Sequence, residues 1–165
     1  MKDSEKLRRR RLVFYEKDVN EINGVLEEFL TASKAKASIL VDKDGHVITQ
    51  RGSTDNIDIT SVAALVAGSF ASTKKVAGLL GEPEFSVLFH QGKQESIHIS
   101  LIAEKTMLVI LFDDSTTIGM VRLYANEVAK KIEQLLERSE SDDMPGIDGD
   151  IAGEGASKLD DLFDD

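Results

Sequence analysis

TSVAALVAGSFASTKKVAGLLGEP, residues 60–83, is the stretch on which the reading of the fold turns. At about 100° per residue, Val62, Val66, Ser69, Phe70, Thr73, Ala77 and Leu80 gather on one side, the pattern of a helix with its core face. The predicted helix spans 60–80 and stops at Gly81, with Pro83 just beyond to prevent its continuation. On the opposite side Ala64, Gly68, Ala71, Lys75 and Gly78 fall within an arc of about 80° on the same wheel. An exposed helix face ordinarily carries long charged and polar side chains. This one carries almost none, and Gly68 gives up about 1 kcal/mol of helix propensity relative to Ala. Small side chains let another backbone approach closely, so the stripe reads as a second packing surface.

Downstream, three apolar runs at 85–90, 96–102 and 107–112 are separated by connections short enough for antiparallel hairpins. Upstream, two short runs at 37–41 and 46–50 flank Asp42-Lys43-Asp44-Gly45 and predict another hairpin. Asp42 and Asp44 do not open a calcium loop, because Gly45 comes too early and Ser53 stands where a bidentate Glu is needed. A first helix is predicted over 13–32, with Glu16, Asp18 and Glu21 early, where they complement the helix dipole. A last helix is predicted over 117–138, with Asp113, Asp114, Ser115 and Thr116 supplying its start and cap. Asp58 or Thr60 is the candidate cap of the middle helix. The order α-β-β-α-β-β-β-α predicts an α+β domain, a five-stranded antiparallel sheet with helices packed on it.

The chain has 165 residues and a net charge of −10, unevenly spread. Residues 1–11 form a basic N-terminal arm with arginines at 8–11. Residues 12–138 are the predicted domain, and residues 139–165 an acidic tail holding one Lys against ten Asp and Glu. The arm suits either an acidic surface or plain solvation. An acidic body and tail repel phosphate backbones, which argues against nucleic-acid binding. With no cysteine there is no disulfide, Cys zinc site or thiol chemistry. No apolar run approaches the ~20 residues of a membrane span, and no apolar h-region follows the charged start, so a cytoplasmic protein without stable membrane insertion is expected. Within the tail, 139–155 reads as a linker. At its end, Leu159, Leu162 and Phe163 at i, i+3 and i+4 share one helix face among aspartates, which reads either as a docking peptide over 157–165 or as a frayed end.

The sequence holds no recognisable catalytic constellation. His46, His90 and His98 have no metal-ligand spacing, although His90 and His98 flank a predicted hairpin turn. Neither a nucleophile elbow nor a phosphate loop occurs. No catalytic residue, metal or cofactor is expected.

Several segments resemble one family. LVDKDGHVIT (40–49), NIDITSVAALVAG (56–68), LLGEPEF (79–85), LVILFDDSTTIGMVRL (108–123) and the closing LDDLF (159–163) resemble the MglB branch of the roadblock/LC7 family. The resemblance implies a profilin-like fold and a homodimer whose subunits pair through the third strand and the middle helix into one continuous sheet. It also implies a GTPase-activating protein for a small Ras-like GTPase of MglA type, one GTPase per dimer, acting in bacterial cell polarity and gliding motility, at a cell pole. Such an activator brings no arginine finger and repositions the GTPase's own switch residues. Ala64, Ala67, Gly68, Ala71 and Lys75 match the GTPase-facing helix of the family, although Lys74 and Lys75 put bulk and charge where that helix often carries small residues. A roadblock dimer that scaffolds a complex without altering hydrolysis is the alternative.

Overall fold

The computed structural model describes residues 2–143, with side chains from 18 to 138. Its elements follow the expected order: α1 (Lys2–Ser33), β1 (Ala37–Asp42), β2 (Val47–Gly52), α2 (Ile59–Leu79), β3 (Val87–Gln91), β4 (Ser96–Ile102), β5 (Thr106–Phe112) and α3 (Ile118–Asp143). The helical backbone of α1 starts at Lys2 and so takes in the stretch read as a basic arm. Residues 139–143, read as the start of the linker, continue the helical backbone of α3 instead, while the rest of the linker and the terminal peptide 157–165 lie outside the described residues.

The five strands form one antiparallel sheet in the order β2-β1-β5-β4-β3. Alternation along β1 and β5 sends neighbours to opposite faces. Leu40, Leu108, Ile110 and Phe112 meet Ile22, Leu26 and Phe29 of α1 and Val121, Ala125, Val128 and Ile132 of α3. Ile39, Val41, Met107, Val109 and Leu111 face the other way, toward Ala63 and Val66 of α2. Because helices cover both faces, all seven residues of β5 are buried.

α1 and α3 lie side by side, joined at one end by the Arg138–Glu21 ion pair. α1 rests on β2 and β1, and α3 packs on β4. β3 is left at the sheet's edge with only β4 beside it. Asp58 caps α2 by accepting from the Ser61 amide at 3.2 Å and the Ser61 hydroxyl at 2.6 Å. Those hydrogen bonds hold its carboxyl below the usual range. α2 ends in a Schellman arrangement: Gly81 has φ +81°, the Glu82 amide donates to Ala77 O and the Gly81 amide to Gly78 O. The start of α3 differs from expectation. Asp113 Oδ1 accepts from the Ser115 amide in an Asx turn, and the capping side chain is Thr117, whose Oγ1 accepts from the Met120 amide.

Candidate functional site: the outer face of α2

Only part of α2 is used by its own sheet. Ala63, Val66 and Ala77 are buried, while Val62, Phe70 and Thr73 are half-buried. Two of the three buried residues are alanines, so small side chains also let this helix lie close to the strands. Leu80, expected on the core face, is exposed instead. The helix ends at Leu79, and Leu80 occupies the C-cap with φ −93° and ψ 0°, which turns it out of the helical wheel.

The opposite side is open. Ala64, Gly68, Ala71, Lys75 and Gly78 are all exposed, and a methyl group on Gly68 or Gly78 would meet no neighbour within 4 Å. Ala67 is half-buried, for a reason the helical wheel does not contain. The β1–β2 turn folds over this end of α2 with Gly45 at φ +92°, and a Cβ there would approach Ala64 Cα to 3.1 Å and Ala67 Cβ to 3.4 Å. Ala64 and Ala67 therefore serve the turn as well as the surface. Gly68, Ala71 and Gly78 meet no such demand.

Beside the stripe stand three large apolar side chains that sequence reasoning missed: Leu65 (73% exposed), Val76 (50%) and Leu79 (87%). Their wheel positions between stripe and core were the available signal. The hydroxyls of Ser69 and Thr73 are turned inward, donating to the carbonyls of Leu65 and Phe70 at 3.0 Å. The result is a helix face that is apolar and nearly without bulk. Its exposed cations are Lys74 and Lys75, and α2 contains no arginine. Exposed apolar side chains grouped in this way are characteristic of interaction surfaces.

A second unpartnered feature is β3, which with β2 is one of the sheet's two edge strands. Val87 and Phe89 are each 40% exposed on the α3 side of β3, with Phe89 stacked on Phe112 at 6.0 Å between ring centroids. An edge strand without a cover offers its free backbone groups to another strand.

The histidines do not assemble. The register pairs His98 with Phe89 and His90 with Ile97, so His90 and His98 lie on opposite faces rather than near each other. His98 is buried, its Nδ1 3.4 Å from Ser100 Oγ, and burial, helped by the charge of Arg122, pushes its pKa down. Asp42, Asp44 and His46 bring their ligand atoms within 4.8 Å of one another in the β1–β2 turn. Asp42 Oδ1 there accepts from the amides of Asp44 and His46 at 2.9 and 3.0 Å, the arrangement of an Asx turn. Between α1 and α3 runs an open groove of about 510 Å³ with Glu21, Glu28, Lys131 and Arg138 on its walls, remote from α2. No helix among the described residues is long and apolar enough to cross a membrane.

Comparison with known proteins gives the family and the fold. The Roadblock/LC7 domain model matches residues 21–112. The structure is similar to Myxococcus xanthus MglB, with 36% identity and a TM-score of 0.70, covering 73% of this chain and 90% of that one. It is also similar to the gliding protein MglB of Thermus thermophilus, with 30% identity, a TM-score of 0.68, and coverage of 76% and 92%. A third solved structure, an MglB with a tetrameric arrangement, is 29% identical with a TM-score of 0.69 and coverage of 76% and 92%.

Proposed function

The chain belongs to the roadblock/LC7 family, and on that premise we propose that it is a dimeric, non-catalytic regulator that seats a small Ras-like GTPase of MglA type on α2 and accelerates GTP hydrolysis. The observation that carries this reading is the outer face of α2. Ala64, Ala67, Gly68, Ala71 and Lys75 form the seat, with Leu65 and Leu79 beside it. Small side chains let the partner's backbone come close, which favours rigid positioning of whatever lies against them. Phosphoryl transfer by Ras-like enzymes is limited by positioning of the water-orienting residue and by stabilisation of developing charge. A face without arginine contributes to the first of these and leaves the second to the GTPase itself.

Self-association uses the remaining open features. Two copies joined along β3, with their α2 helices adjacent, form one continuous sheet, cover the strand edge and place two α2 faces on one side, offering one GTPase a seat larger than a single helix. The terminal segment with Leu159, Leu162 and Phe163 supplies a second contact on the GTPase, away from the switches, that tunes nucleotide exchange.

Ala71→Arg tests the seat. The side chain is exposed, so the fold survives, but in the complex the guanidinium is buried without a partner. Affinity for the GTPase, measured by titration calorimetry, should fall at least about 100-fold. Unchanged affinity removes α2 from the interface. Intact binding by the parent chain with no change in hydrolysis rate assigns the scaffold role instead.

A further inference from the structure

The sheet face that carries α1 and α3 is incompletely covered. α1 lies over β2 and β1, and α3 over β4 with side chains reaching Ile110 and Phe112 of β5. Helices on a sheet stand about 10 Å apart and strands about 4.8 Å, so each helix covers two strands. The next helical place falls over β3, where Val87 and Phe89 form an apolar shelf. Pairing along β3 consumes the strand's edge and leaves this face open. In the dimer proposed above, on which the second wall of this slot rests, α3 and its symmetry mate, each packed on β4, flank the paired β3 strands, so the shelf lies between them.

We propose that the chain's own terminal segment, 157–165, occupies this shelf as a short helix beside α3 when no GTPase is bound. Three properties select it. Leu159, Leu162 and Phe163 give it one apolar face matched to Val87 and Phe89. Asp160, Asp161, Asp164 and Asp165 complement Arg122, which α3 holds near His98, the cross-strand neighbour of Phe89. The tether is long enough: α3 ends at Asp143, and the 15 residues from 144 to 158 span up to about 50 Å, against about 32 Å back along the helix to Arg122. Local concentration then lets a weak peptide dock, and a GTPase that binds the same segment must first draw it off.

The chain has no cysteine, so Ser157→Cys in the full-length protein carries a single nitroxide. The expected result is loss of more than half the amide signal of Val87, Phe89, Gly119 and Arg122 relative to the reduced label. Leu162→Asp with Phe163→Asp, added to the labelled chain, should restore those signals. Full signal at these amides in the labelled chain overturns the docking, as does loss that persists in the double variant. Light scattering on the same sample tests the dimer separately: a dimeric mass with full signals overturns the docking alone, and a monomeric mass removes the second wall and with it the slot.

Discussion

Gly45 sits where two demands coincide. The tight β1–β2 turn needs φ +92°, and α2 comes so close that a Cβ would meet Ala64 Cα at 3.1 Å. The Asp-Gly signal made the hairpin legible in the sequence, but the contact with α2 was not, because nothing local says which helix a turn will meet. The β4–β5 turn is the reverse case. Ala103 and Glu104 both have positive φ, 52° and 63°, and the Lys105 amide donates to Ile102 O, a type I′ geometry without the usual Asn-Gly. Replacing the pair by Ala103→Asn and Glu104→Gly should stabilise the chain by about 1 kcal/mol or more, read as a higher urea midpoint at unchanged slope. His98 makes stability depend on pH. The fold holds its imidazole neutral, with a pKa below 6.5, while the unfolded chain binds the proton more readily. Stability is therefore complete above pH 6.5 and falls as the pH drops through the window beneath it. His98→Gln should flatten the dependence of unfolding free energy on pH below 6.5, measured by urea titration.

At the scale of the element, periodicity located all three helices and all five strands, and the exposed stripe of α2 came with them. The wheel failed in two places, each for a physical reason. It placed Leu80 in the core because it assumed the helix continued through a residue that is its cap. It also overlooked Ala63, although this alanine is fully buried, because its position lies about 20° beyond the arc that holds the rest of the core face. The start of α3 was read one or two residues early: Ser115 and Thr116 belong to the Asx turn of Asp113, and Thr117 caps the helix. Thr117→Ala should cost about 1 kcal/mol. Thermal unfolding followed by circular dichroism checks this, and an unchanged midpoint would show that the Thr117 hydroxyl does not hold the end of α3.

Among the described residues, the outer face of α2, the free edge and apolar shelf of β3 and the free edge of β2 have no strand or helix of the chain against them. Light scattering at micromolar concentration should report twice the 18.1 kDa chain mass, and a monomeric value would refute pairing along β3. The proposed role was legible only indirectly, because it asks this chain for a contact face rather than for a catalytic constellation. The direct test is single-turnover GTP hydrolysis by the MglA-type GTPase, with no addition, with this chain, and with its Ala71→Arg variant. The hydrolysis rate should rise by at least about tenfold with the parent chain and return to the intrinsic value with the variant. Equal rates in all three reactions would contradict the proposed role.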